Sequence, residues 1–179
     1  MKKILIPALS LTVICLVTAL LLSSVNVLTA SRIAQNLEQA ERQAMEEVFG
    51  EGISYSDISD PPAGIKRIFE VKKNGSLAGY SVSVSPNGFG GNIDMVVGVA
   101  PDGSIIGVAI TSLSETPGLG SRVAEPEYLD KYDGLSGKLV LNSDVDAISG
   151  ATISSRSVLT GVNSALDALR RKGCIEYRK

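Results

Sequence analysis

The sequence predicts an α+β domain, built from an antiparallel β-meander and a C-terminal helix, behind a single N-terminal transmembrane helix. An uncharged apolar run opens the chain, turn-forming dipeptides recur between apolar segments, and an amphipathic pattern closes it. The 179 residues have room for one domain and an anchor, since domains typically hold about 100 to 150 residues. We expect residues 1–30 to form the cytoplasmic tip and the anchor, residues 31–55 a juxtamembrane helix, and residues 56–179 the domain.

The composition excludes several classes of function. The 17 basic and 19 acidic residues give a net charge of -2, and no basic run is present, which argues against nucleic-acid binding. The chain has no histidine, so Ser-His-Asp triads, histidine metal ligands and an imidazole base are excluded. Cys15 and Cys174 are too few for a metal cluster, and we expect no disulfide between them.

The N-terminal run has the length of a membrane span. Residues 4–30 carry no charge, and residues 4–22 alone would rise about 28 Å as a helix, close to the ~30 Å of a hydrocarbon core. A cleaved signal peptide is the alternative, but its apolar region usually spans only about 7 to 15 residues. Lys2 and Lys3 favour a cytoplasmic N-terminus, which would place the domain outside the cytoplasm. We therefore expect a retained single-pass anchor in the cell membrane.

Residues 32–52 carry a helical pattern with apolar residues on one face, and Gly50 and Gly52 should end that helix. Turn signals follow at Asn74-Gly75, Asn87-Gly88 and Asp102-Gly103. The predicted strands lie around them, at residues 65–71, 77–85, 92–100 and 104–111. The third and fourth are apolar on both faces, so we expect them to be central or covered by a helix.

The Gly-rich segment 88–91 permits a β-bulge or a close backbone approach, and the bulge is the simpler interpretation. Tyr128 and Tyr132 suit a short helix, and residues 138–141, Lys-Leu-Val-Leu, predict a short strand.

The last predicted element is the C-terminal helix, over residues 154–173. It places Val158, Val162, Leu166 and Leu169 on one face and ends at Gly173.

Small residues lie where this helix begins. Residues 149–152 read Ser-Gly-Ala-Thr, and Thr152, Ser154 and Ser155 are residue types that cap helices well. A cap without further function is one interpretation. The other is that the Thr152 hydroxyl carries an anionic group, because the free N–H groups and the positive end of a helix dipole favour a phosphate there.

A second motif lies upstream, at residues 115–120, Glu-Thr-Pro-Gly-Leu-Gly. Pro117-Gly118 suits the centre of a type II turn, and Gly120 frees the backbone for contact with a flat ligand. The alternative is a tight loop that leaves a strand.

Together these residues resemble a known family. Asp146 and residues 149–152 match the D-x-x-[S/T]-G-A-T flavinylation motif, with Glu-Thr-Pro-Gly-Leu-Gly upstream of it. The chain resembles the FMN-binding domain family, and within it the G-subunit family of Rnf ion-translocating electron transport complexes. The C-subunit family of sodium-pumping NADH:quinone reductases carries similar motifs. The resemblance extends from the N-terminal helix through residues 88–110 to the terminal helix.

The resemblance implies a membrane-anchored flavoprotein that relays electrons between ferredoxin and NAD within an ion-translocating complex. It implies that FMN is bound through a phosphoester to the Thr152 hydroxyl and is installed from FAD by a flavin transferase. The other cofactor-binding residues it implies are Asp146, Ser149, Gly150, Ala151, Glu115, Thr116, Gly118, Leu119 and Gly120. Among these we expect Glu115 and Thr116 near the polar edge of the flavin and Leu119 against its face, with Asp146 a recognition or capping residue. The implied partners are the transferase and the other membrane proteins of the complex.

Two other functions fit parts of the sequence. An anchored extracytoplasmic module that binds a ligand or partner without redox chemistry would need only the loop at residues 115–120. A hydrolase using Ser154 or Ser155 would lack a histidine base and a Ser-x-x-Lys spacing. We expect no metal site and no catalytic residue belonging to this chain alone.

Overall fold

The computed structural model describes residues 2–58 and 60–175. The chain divides into two compact units, Met1–Gln39 and Ala40–Lys179. The helices are α1 (Lys2–Phe49), α2 (Pro126–Leu129) and α3 (Thr152–Arg171), with short 3-10 helices at Gly120–Ala124 and Asp130–Tyr132. The strands are β1 (Ile53–Asp57), β2 (Ile65–Lys73), β3 (Ser76–Val84), β4 (Ile93–Val99) and β5 (Ile105–Leu113).

The strands form one five-stranded antiparallel sheet in the order β1-β2-β3-β4-β5, which confirms the predicted meander. Asn74 and Gly75 make the β2–β3 turn with φ of 55° and 80°, the positive values that a type I′ turn requires. At the β4–β5 turn the Gly103 N–H donates to the Ala100 carbonyl at 2.9 Å. β1 is an additional edge strand, in a segment that the sequence divided between a helix and a loop.

α1 runs without a break to Phe49, so the predicted juxtamembrane helix is its C-terminal part. Its most apolar window has a mean hydropathy of 2.3, and among the described residues it is the helix long and apolar enough to cross a membrane. Gly50, at φ 83°, follows its end as predicted. The Lys73 ammonium also donates to the Phe49 carbonyl at 2.9 Å, which satisfies one of the free acceptors at that end.

Different helices cover the two faces of the sheet. Ile68 and Val97 belong to the core that the strands share with α3. On the opposite face Val96 and Ala109 pack against Met45, in the last turns of α1. β4 therefore buries side chains on both faces, as the prediction for the third apolar segment required.

α3 confirms the predicted terminal helix. Val158, Val162, Leu166 and Leu169 are all buried on one face. At its end the Gly173 N–H donates to Arg170 and the Cys174 N–H to Leu169, which is a Schellman motif with Gly173 at φ 70°.

The short strand predicted at residues 138–141 is wrong. This segment has no ladder partner; one isolated bridge joins Leu141 to Val145. Instead the Asn163 side chain of α3 accepts from the Leu139 N–H and donates to its carbonyl, both at 2.9 Å. The amide of Asn163 therefore satisfies the peptide groups that a neighbouring strand would have paired.

Tyr128 and Tyr132 lie in the predicted helical segment and are buried in the main core. Their rings meet edge to face with centroids 5.9 Å apart, and their hydroxyls are 3.3 Å apart. Burial, and then the contact with the Tyr128 hydroxyl, raise the pKa of Tyr132 far above its ordinary value.

This shift predicts a loss of stability at alkaline pH. Because the pKa of Tyr132 is raised in the folded state, the unfolded chain ionises first, above about pH 10. The stability is fully present below that pH and falls as the pH rises, by about 1.4 kcal/mol per pH unit. Urea unfolding followed by far-UV circular dichroism between about pH 9 and 11 measures this slope. Tyr132→Phe should lower it by that amount, and an unchanged slope would contradict the assignment.

Candidate functional site

Three loops or helix ends that are distant in sequence surround one pocket of about 390 Å³. They are the loop after β3, the loop after β5 and the first turn of α3. The lining residues are Phe89, Glu115, Thr116, Leu119, Gly120, Gly150, Ala151, Thr152, Ile153 and Ser154. The pocket is of the size that small-molecule ligands occupy, about 300 to 1,000 Å³. The structure thus brings the two sequence motifs together.

The loop after β5 contains the predicted type II turn. The Leu119 N–H donates to the Thr116 carbonyl at 3.2 Å, and Gly118 at the third position has φ 73°. The Gly118 N–H also donates to the Ser121 hydroxyl at 2.9 Å. The turn exposes half of the Leu119 side chain at the pocket.

Glu115 is buried beneath this turn, with 8% of its surface exposed. Its Oε1 accepts from the backbone N–H groups of Phe89, at 2.7 Å, and Gly90, at 3.3 Å. Its Oε2 accepts from the Ser154 hydroxyl at 2.9 Å. The carboxylate therefore joins all three segments that line the pocket.

Glycines leave room for these contacts. A Cβ on Gly88 would overlap Glu115 Oε1, and one on Gly120 would overlap Oε2. A Cβ on Gly90 would overlap the Ser114 carbonyl oxygen. Of the two interpretations of the Gly-rich segment 88–91, the structure has the close backbone approach; the segment is a loop between β3 and β4.

α3 begins at Thr152 without a side-chain cap. Its N-cap is Ala151, so the capping role considered for Thr152 is wrong, and Thr152 is exposed at the first helical position. The Ser155 hydroxyl accepts from the Ile148 N–H at 3.0 Å, which holds the preceding loop. Gly150 has φ 80°, a conformation that glycine adopts without strain. The uncapped N–H groups and the positive end of the dipole of this 20-residue helix are therefore beside the pocket.

Some predicted residues lie outside the lining. Asp146 and Ser149 are in the loop before α3, and Gly118 is in the turn. Because no side chain caps α3, the capping role considered for Asp146 is also wrong. Arg156 is exposed on α3 and does not line the pocket.

Three lining side chains were missed or given a lesser role in the sequence-based prediction. Ser154 was taken only for a capping type, whereas its hydroxyl bonds Glu115. Ile153 was not considered, although an apolar residue next to Thr152 and off the buried face of α3 was a usable signal; it is 52% exposed. Phe89, expected to pack, is 70% exposed.

The chemistry of this pocket suits a flat apolar ligand that carries an anion. Phe89, Leu119 and Ile153 supply exposed apolar surface around it. Glu115 is the only charged residue in the described lining, so the positive end of the α3 dipole is the element that favours an anionic group.

Two families match the chain. The FMN-binding domain family matches residues 88–167, and the RnfG N-terminal region family matches residues 1–48. The first range contains every residue that lines the pocket.

Three curated relatives match over most of their length, and each is the G subunit of an oxidoreductase complex. That of the Na(+)-translocating ferredoxin:NAD(+) oxidoreductase complex of Acetobacterium woodii is 30% identical, over 87% of this chain and 86% of that protein. That of the ion-translocating oxidoreductase complex of Methanosarcina acetivorans is 31% identical, over 88% and 90%. That of the proton-translocating ferredoxin:NAD(+) oxidoreductase complex of Clostridium ljungdahlii is 27% identical, over 88% and 87%.

Two solved structures share the fold. Shewanella oneidensis NqrC superimposes with a TM-score of 0.59 at 22% identity, over 76% of this chain and 95% of that one. The C subunit of the Na(+)-translocating NADH-quinone reductase of Parabacteroides distasonis gives a TM-score of 0.52 at 21% identity, over 63% and 64%.

Proposed function

The chain belongs to the G-subunit family of ion-translocating ferredoxin:NAD(+) oxidoreductase complexes, and from this premise we propose that it relays electrons there through FMN attached covalently to Thr152. The observation that carries the proposal is the position of Thr152. The predicted acceptor hydroxyl is exposed, at the start of α3, in the wall of the pocket that the 115–120 loop also lines.

The pocket fits FMN in two respects. Phe89, Leu119 and Ile153 supply apolar surface for the flat isoalloxazine ring. A phosphate on Thr152 would lie at the uncapped N-terminus of α3, where N–H groups and the dipole stabilise negative charge. When bound, FMN supplies one-electron and two-electron transfer. The contribution of this chain is to hold the ring, to limit its contact with water and to fix its phosphate.

Attachment needs an outside catalyst. No side chain in the described residues hydrogen-bonds the Thr152 hydroxyl, and an unactivated hydroxyl is a weak nucleophile. We propose that a flavin transferase supplies the base and the metal. The Thr152 oxygen then bonds to the FMN phosphorus of FAD, the hydroxyl proton passes to the base, and AMP leaves.

The anchor is proposed to hold the domain at the membrane without conducting ions. Residues 4–30 carry no ionisable group other than the Cys15 thiol, whereas ion routes need polar groups inside the membrane. The match of residues 1–48 to the RnfG N-terminal region supports a retained anchor over a cleaved signal peptide. Lys2 and Lys3 favour an extracytoplasmic domain, which added protease would digest in intact cells but not if the domain were cytoplasmic.

The test of covalent attachment uses the full chain, purified from a host that expresses the flavin transferase. We expect the denatured band to fluoresce under ultraviolet light and the intact mass to increase by one FMN less one water. Peptide mapping should place the added mass on the peptide that contains Thr152. An unmodified, colourless band would contradict the proposal and favour the anchored module without redox chemistry.

A further inference from the structure

We propose that Glu115 is a positioning residue that clamps the two walls of the pocket together and so holds Thr152 where the flavin can be attached. This inference rests on the proposed function, but it gives Glu115 a different task from the ligand contact that the family resemblance implies. Its evidence is the set of partners that the carboxylate has within the protein.

The carboxylate is the central acceptor of the pocket wall. Oε1 receives the N–H groups of Phe89 and Gly90, and Oε2 receives the Ser154 hydroxyl. Backbone N–H groups can only donate, so an acceptor must face them. Hydrogen bonds to a charged acceptor are also about twice as strong as neutral ones. Glu115 thereby ties the loop after β3 to the first turn of α3.

The glycines around Glu115 support this assignment. A Cβ at Gly88 would overlap Oε1, and a Cβ at Gly120 would overlap Oε2 and lie 2.8 Å from the Ser154 hydroxyl. The carboxylate therefore fills the space that two absent side chains leave. A glutamate that pointed out of the fold towards a ligand would not need that space.

The clamp acts on Thr152 through α3. Ser154 is two residues beyond Thr152 in the same first turn, and it is 1% exposed. Leu119, from the loop that Glu115 begins, also lies close to Gly150, so that a Cβ there would be 3.5 Å from its Cδ2. Since α3 has no side-chain cap, these contacts are what the described residues offer to fix its first turn at the pocket.

The test compares Glu115→Ala with Glu115→Gln in the full chain. The glutamine keeps an oxygen for the two N–H groups, and its amide can donate to the Ser154 hydroxyl, so the geometry of the clamp is preserved without the charge. The alanine removes all three hydrogen bonds. Glu127→Gln, an exposed carboxylate on α2, is the matched control.

Two measurements are made on each variant. The first is hydrogen exchange of the Phe89 and Gly90 amides in the protein without flavin. The second is the initial rate of covalent flavin incorporation from FAD by the transferase, read as in-gel fluorescence.

In Glu115→Ala we expect exchange to be about tenfold faster or more, as loss of hydrogen bonds to a charged acceptor implies. We expect incorporation to slow by a similar factor. Glu115→Gln should restore both to within about threefold of the parent, because a neutral acceptor retains roughly half the strength. Glu127→Gln should change neither.

Unchanged exchange in Glu115→Ala would overturn the clamp. Faster exchange with normal incorporation would overturn its effect on Thr152, and a glutamine variant as impaired as the alanine variant would overturn the geometric role. If the parent protein takes up no flavin, the proposed function fails, yet the exchange measurement still decides the clamp.

A second variant covers the case in which Glu115→Ala does not fold. Gly120→Ala would displace the carboxylate while retaining it, and we expect the same two losses. Gly107→Ala is its matched control, because a Cβ there would meet its nearest neighbour at 3.5 Å, an ordinary contact. Equal exchange and incorporation in the two glycine variants would overturn the proposal.

Discussion

Thr152→Ala is expected to abolish covalent flavin attachment while the domain folds as before. The substitution removes the only atom of that side chain that can bond to phosphorus. Because Thr152 is exposed and Ala151 is the N-cap, the cost should stay within about 0.5 kcal/mol, as for most surface positions, below the ~1 kcal/mol that loss of a cap costs. Intact mass after co-expression with the transferase, and urea unfolding of the unmodified protein, give the two quantities.

Thr160→Ala is the matched control for that substitution. Thr160 is also exposed on α3, two turns further along, where its hydroxyl donates to the Arg156 carbonyl at 2.8 Å. We expect it to take up flavin as the parent does. Covalent flavin retained in Thr152→Ala, or lost in Thr160→Ala, would show that the attachment residue is misassigned.

Local chemistry made much of the fold predictable. The Asn74-Gly75 turn follows from two residues that accept positive φ, and α3 follows from a buried face repeated at helical spacing. β1 has no such signal, since only Ile53 of its five residues is even partly buried. It is a strand because β2 offers a free edge. Residues 138–141 fail in the opposite way: their apolar letters suggest a strand, but Asn163, 24 residues away from Leu139, takes the peptide groups.

The site was predictable to the extent that its residues act alone. An exposed hydroxyl at a helix start and a Pro-Gly turn are visible in sequence, and both occur as expected at the pocket. The partners of Glu115 are not visible, because they lie 26, 25 and 39 residues away along the chain. Such contacts depend on how β3, β5 and α3 come together. A family resemblance can name Glu115 as important without giving the reason.

Leu166→Ala is expected to have the largest effect on stability, a loss of about 2 to 5 kcal/mol, as is usual when a buried leucine is truncated and a cavity is left. Leu166 is 1% exposed on the face of α3 that packs on the sheet, and it belongs to the main core. Urea unfolding of the protein without flavin measures the loss. Leu77→Ala, at a leucine that is 41% exposed at the start of β3, should cost much less.

The same variant separates stability from attachment. Leu166 is more than three turns of α3 away from Thr152 and does not line the pocket, so Leu166→Ala should still accept FMN at temperatures where it remains folded. Thr152→Ala should show the reverse pattern, with normal stability and no flavin. If Leu166→Ala were folded by circular dichroism yet free of flavin, α3 would have to transmit strain to its first turn, and the two roles of the helix would not be independent. If it lost less than about 1 kcal/mol, Leu166 would not be packed as the structure has it.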